Sequence, residues 1–134
     1  MRRLLVSGMV TLFATMSIAA TTASCACAVD CSGTLVEVEV SAPDVQTVEV
    51  CADDTCSRQQ LQIPATAAAP VRLIFGLSDL NAAASTYAVR AFDANTLEVT
   101  QTAVEADLRP QGRCSCPGSL VATLNEGGVV VAPK

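Results

Sequence analysis

Histidine and tryptophan are both absent from this 134-residue chain. Without histidine there is no imidazole general base, no Ser-His-Asp triad and no histidine-ligated metal site. Aromatic residues are scarce, at one tyrosine and three phenylalanines. That is too few for sugar-stacking platforms or for stacking the bases of single-stranded nucleic acid. Basic residues are few as well: eight Lys and Arg against thirteen Asp and Glu leave a net charge of −5. An acidic surface repels phosphate backbones and anionic headgroups, so no nucleic-acid partner is expected. G-x-S-x-G, P-loop, Rossmann and D-x-D-x-D calcium-loop motifs are missing too. On these grounds neither an enzymatic activity nor a cofactor is expected.

What the chain does contain begins with an export segment. Met1-Arg2-Arg3 is a short basic start, residues 4–20 form an apolar run, and residues 21–24 are small residues leading to Cys25. This pattern predicts a secretory signal over residues 1–24, set apart from the fold. Ser7, Gly8, Thr11, Thr15 and Ser17 interrupt the apolar run, which suits a spanning helix poorly. Thr22-Ala23-Ser24-Cys25 resembles a bacterial lipobox, in which the cysteine is lipidated and becomes the first mature residue. Thr22 departs from that motif, where a leucine-like residue is usual. The resemblance implies lipidation at Cys25 and the membrane as a partner through that lipid. Cleavage after Ala26 or Ala28 is the alternative, and yields a secreted protein. The expected location is therefore the outer face of the cytoplasmic membrane, or the medium. Without Arg2 and Arg3, six basic residues face thirteen acidic ones, a net charge of −7. Roughly 106–110 residues remain, enough for one domain with a single core.

Seven cysteines follow from Cys25 onward. Lipidation of Cys25, or cleavage after Ala26, leaves an even set: Cys27, Cys31, Cys51, Cys56, Cys114 and Cys116. In an exported chain such a set reads as a disulfide framework. The centre of the framework is residues 46–56, Gln-Thr-Val-Glu-Val-Cys-Ala-Asp-Asp-Thr-Cys. It reads as a strand, an acidic turn at Asp53-Asp54, and a second arm over residues 57–63. Facing positions of such a hairpin bring Cys51 and Cys56 together. By alternation Cys51 shares the Glu49 face, away from Val48 and Val50, so a bond at the rim of the sheet is expected. Leu61 and Ile63 are expected to share one face. A second bond is expected from Cys27 or Cys31 to Cys114 or Cys116, with the remaining pair as the third. Cys25-Ala26-Cys27 and Cys114-Ser115-Cys116 are CxC units, and a bond inside either would close a cramped ring. The alternative reading of these thiols is a Cu(I) or Zn thiolate site.

The remaining chain alternates in the manner of short strands. Val36, Val38 and Val40 share one face over residues 34–40, with Glu37 and Glu39 opposite. Pro64 and Pro70 bracket an alanine-rich loop. Val71, Leu73 and Phe75 define a strand, and residues 77–84 hold a helical turn capped by Ser78 and docked by Leu80. Tyr87, Val89 and Ala91 define another strand, closed by a turn at Asp93-Ala94-Asn95. Over residues 96–108 the buried parity switches between Leu97 with Val99 and Val104 with Ala106 and Leu108. A bulge or kink near residues 101–103, or passage between sheets, is expected to resolve it. Residues 119–124 and 128–132 form a last hairpin around a three-residue turn at Asn125-Glu126-Gly127.

The pattern predicts an all-β chain: an immunoglobulin-like antiparallel β-sandwich of about 7–8 strands, stapled by disulfides. Its divisions are a signal over 1–24, a cysteine-bearing tether over 25–33 and the sandwich over 34–134. The lipobox-like start, valine-rich strands, Cys51-x4-Cys56 and Cys114-x-Cys116 resemble small Ala/Val-rich immunoglobulin-like proteins of high-GC Gram-positive bacteria. That family implies an exported or lipid-anchored location and a sandwich fold, but no activity. Cys51-x4-Cys56 in an acidic chain also resembles the antibiotic carrier proteins of the neocarzinostatin type, which implies an apolar cleft for a small ligand. The expected function is a non-enzymatic, lipid-anchored structural or binding module of the cell envelope. The alternative is a binding protein for a soft metal or a small apolar ligand.

Overall fold

The computed structural model describes residue 31 and residues 33–134. The signal, the lipobox with Cys25, the cleavage sites and most of the tether with Cys27 lie outside the described residues. Among the described residues there are eight strands: β1 (Thr34–Val40), β2 (Thr47–Ala52), β3 (Thr55–Gln60), β4 (Val71–Gly76), β5 (Thr86–Phe92), β6 (Glu98–Glu105), β7 (Leu120–Asn125) and β8 (Gly128–Pro133). They form two four-stranded sheets, ordered β4-β1-β7-β8 and β3-β2-β5-β6. Inward positions at alternate residues supply the core. Val36, Val38, Val40, Phe75, Ala122 and Leu124 come from one sheet and Val48, Val50, Tyr87, Val89 and Ala91 from the other, all buried.

The pairing is that of an immunoglobulin-like sandwich. β1 pairs with β4 in one sheet while β2 pairs with β5 in the other, both antiparallel. Tyr87, at the start of β5, donates its hydroxyl proton to the Asn81 carbonyl oxygen at 3.0 Å, back across the corner that joins the sheets. That is the tyrosine corner of this architecture. One sheet is not wholly antiparallel, contrary to expectation: β7 runs parallel to β1, with Val38 opposite Ala122. The C-terminal hairpin β7–β8 thus flanks β1 on the side away from β4. The pairing joins segments more than eighty residues apart, beyond the reach of any local pattern.

Several local expectations need correction. Leu35 is buried beside Val36 because the register slips between Thr34 and Val36, and the extra residue in β1 turns inward. Residues 77–84 hold the expected turn, with the Asp79 and Leu80 amides donating to the Gly76 carbonyl at 3.1 and 3.0 Å, and a second turn in which the Ala84 amide donates to the Asn81 carbonyl at 3.3 Å. Leu80 is buried there as expected. The second hairpin arm ends at Gln60, and beyond it Leu61 is buried while Ile63 is 62% exposed. The slip in β6 lies at Val99, not at residues 101–103, since Ala91 faces Thr100 and Phe92 faces Glu98. Leu97 is 64% exposed and Val99 is exposed too, so the parity conflict is resolved by leaving the first pair outside. The last hairpin closes on an Asn125–Gly128 pair, which leaves a two-residue turn.

Each strand runs opposite to the one before it in sequence, so the connections sort to two ends. The tether end carries residue 33, the Asp53-Asp54 turn, and the β4–β5 and β6–β7 connections. The far end carries the β1–β2, β3–β4, β5–β6 and β7–β8 connections. With seven residues in β1, the two ends are separated by about 20 Å.

Candidate functional site

The cysteines among the described residues are disulfide-bonded, and Cys31–Cys116 and Cys51–Cys56 lie at the tether end. Cys51 faces Cys56 across β2 and β3, with Cα atoms 4.0 Å apart, and the two are bonded. This is the pair expected from the hairpin register. Cys31 is bonded to Cys116 with a Cα separation of 5.4 Å, which ties the tether to the β6–β7 connection. Cys114 is disulfide-bonded as well. Cys25 and Cys27 lie outside the described residues.

The rim position expected for Cys51 needs correction. Cys51 is only 9% exposed, whereas Cys56 is open to solvent. β2 lies between β3 and β5, so its outer face is overhung by their side chains. The same cover buries Glu49, which is 7% exposed. Register places Arg58 and Arg90 on either side of it. Arg58 Nε donates to Glu49 Oε2 at 2.6 Å, and Arg90 Nη1 lies 3.7 Å from Oε1. A carboxylate this deep is retained because two guanidiniums compensate its lost hydration. Arg58 also stacks over Phe92, 4.7 Å from the ring centroid, and Arg90 reaches Glu98 at 3.8 Å. Cys51 Sγ lies 3.6 Å from Glu49 Oε1. A disulfide sulfur has no proton, so this is a van der Waals contact and not a hydrogen bond. Glu49, Cys51 and Cys56 form the metal-ligand cluster found among the described residues, with donor atoms within 4.8 Å of one another.

Asp53 does more than shape its turn. Its φ of 50° is a conformation aspartate tolerates. Its carboxylate accepts from the Thr86 amide at 3.0 Å and from the Ser85 amide at 3.2 Å, joining the β2–β3 turn to the start of β5. Those backbone donors, Thr86 first, hold its carboxyl below the usual aspartate range. Asp107 is lowered to about 2, chiefly by the Arg109 guanidinium, which donates to it at 2.9 and 2.8 Å. Burial pushes the Tyr87 hydroxyl up, with the charges of Asp53 and Asp107 adding to the shift.

Two clefts open at the far end, on either side of the β7–β8 turn. The larger, about 400 Å³, is lined by Ser41, Pro43, Thr66, Ala67 and residues 125–127. The smaller, about 190 Å³, is lined by Asp44, Val45, Val99, Thr100 and the same turn. No aromatic side chain lines either one, and Asp44 and Glu126 make the end acidic. A third hollow of about 220 Å³ sits at the tether end beside Asp107 and Arg109. In the sequence the far-end residues read as separate turns, and nothing local shows their convergence. Alternating strand direction sends every second connection to the same end, but which of them meet depends on sheet order and the parallel β1–β7 pairing.

No protein-family model, curated protein or solved structure matches the chain. The class defined by the strand pairing and the tyrosine corner is a disulfide-bearing, immunoglobulin-like β-sandwich.

Proposed function

We propose that this protein is a non-enzymatic, exported module of the cell envelope, held to the outer face of the cytoplasmic membrane by a lipid on Cys25. The observation that carries the reading is the polarity of the sandwich. The tether enters at one end, where Cys31–Cys116 fastens it, and the two clefts open about 20 Å away at the other. An anchor at Cys25 would therefore present the clefts away from the membrane. The disulfides accord with an oxidising compartment, and the apolar run before Cys25 accords with export. The resemblance to Ala/Val-rich envelope proteins of high-GC Gram-positive bacteria points the same way. Neither cleft is lined by an aromatic side chain; the smaller is mainly polar, which suits a small polar ligand or a protein loop, and the larger presents more apolar than polar surface, which suits a small apolar ligand.

The test is expression of the full chain in a Gram-positive host, followed by fractionation. The wild type is expected in the membrane fraction and accessible to added protease on intact cells. Cys25→Ala is expected to lose the lipid and to shift the protein to the medium. Equal membrane retention of Cys25→Ala, or a wild type confined to the cytoplasm, would overturn the reading.

A further inference from the structure

Cys51 and Cys56 staple β2 to β3, and with Glu49 their arrangement is more than a staple needs. A cross-strand disulfide requires only two facing cysteines. Here a carboxylate at the preceding same-face position of β2 is buried, and its Oε1 faces the Cys51 sulfur at 3.6 Å. The two carboxylate oxygens are also distinguished. Oε2 is held by Arg58 at 2.6 Å, whereas Oε1 meets Arg90 only at 3.7 Å, beyond a good hydrogen bond. Oε1 thus keeps a lone pair for the Cys51 sulfur it faces, and the Cys56 sulfur lies within 4.8 Å. Cys56 is exposed, so a reductant can reach the bond from solvent.

We propose that reduction of the Cys51–Cys56 bond creates a site for a thiophilic divalent cation of the zinc type, with Cys51, Cys56 and Glu49 Oε1 as its ligands. A dithiol reductant delivers two electrons and two protons to the sulfur–sulfur bond and is itself oxidised to a disulfide. The cation then displaces the two thiol protons into solvent. Two thiolates and one carboxylate make a three-ligand set with an open fourth position, a donor combination zinc accepts. Arg58 and Arg90 favour the thiolate charge before the metal arrives, and both keep exposed tips that can move toward water once it does. The disulfide therefore acts as a gate: oxidised, the cluster offers one carboxylate and no thiolate. This site does not depend on the lipid anchor or on the far-end clefts.

The test uses the mature protein reduced with a phosphine, desalted under anaerobic conditions and given one equivalent of Zn²⁺. Cysteines are then alkylated and located by peptide mass spectrometry. The expected result is protection of Cys51 and Cys56, with Cys31, Cys114 and Cys116 modified. The oxidised protein is expected to bind no Zn²⁺, and Glu49→Gln to weaken binding by the reduced protein at least about tenfold. Uniform alkylation would overturn the proposal, as would protection confined to Cys114 and Cys116. An unchanged affinity in Glu49→Gln would overturn it too, and so would loss of the sheet signal in circular dichroism on reduction alone.

Discussion

The Tyr87 hydroxyl and the Asn81 carbonyl meet at 3.0 Å, tying the first residues of β5 to the connection that precedes them. Tyr87 is the only tyrosine in the chain and its ring is fully buried in the core. Phenylalanine would keep the packing and remove the donor, leaving the carbonyl without this partner. Tyr87→Phe is therefore expected to cost about 1–2 kcal/mol. Urea unfolding of the two proteins checks this, through a lower midpoint at an unchanged slope.

Gly76 is confined by backbone and not by a side chain that can yield. A Cβ there would sit 2.8 Å from the Gly33 carbonyl oxygen, the same oxygen that accepts from the Leu77 amide at 2.8 Å. Gly76→Ala must push the tether away from β4. The expected loss is about 1–3 kcal/mol, read as a fall in thermal midpoint. Gly112→Ala in the β6–β7 connection, where the nearest atom is the Ser115 side-chain hydroxyl at 3.4 Å, is expected to be nearly neutral.

Asp53 gives the fold a pH dependence of definite sign. Its carboxyl is lowered in the folded state by the Thr86 and Ser85 amides, so it contributes stability above the unfolded value of 3.8. That contribution fades as pH falls through the lower folded value. Asp53→Asn tolerates the same backbone conformation but lacks the charge. Thermal midpoints of the two proteins are expected to differ at neutral pH and to converge between about pH 5 and pH 2. A difference that persists unchanged into acid would contradict the account.

Cys31–Cys116 closes a sequence separation of 85 residues. Replacing both cysteines with serine is expected to cost roughly 2–4 kcal/mol, mainly by releasing the unfolded chain. Cys51–Cys56 spans only 5 residues, so the corresponding double serine variant is expected to cost less. Denaturant midpoints of the two double variants, compared with the wild type, give the ordering directly.

Alternation made most strands legible. Val36, Val38 and Val40 point inward as their spacing implies, and so do Val48 with Val50 and Tyr87 with Val89. The Cys51–Cys56 pairing follows from hairpin register, and the expected second bond, from Cys27 or Cys31 to Cys114 or Cys116, is met by Cys31–Cys116. What alternation cannot supply is whether an outward face stays open. Glu49 reads only as lying on the face away from Val48 and Val50, and the Arg58 and Arg90 side chains that cover it come from adjacent strands. Leu97 reads as core, yet it precedes β6 and remains outside. The far-end clefts were hidden for a related reason: Ser41, Thr66 and Asn125 come together only once sheet order and the parallel β1–β7 pairing are known.

The most direct test of the account is the intact mass of the protein recovered from a producing cell, taken before and after reduction with alkylation. The account predicts a diacylglyceryl cysteine at residue 25, with Cys27, Cys31, Cys51, Cys56, Cys114 and Cys116 alkylated only after reduction. A mature start at Val29, with thiols that alkylate without reduction, would contradict both the lipid anchor and the disulfide framework.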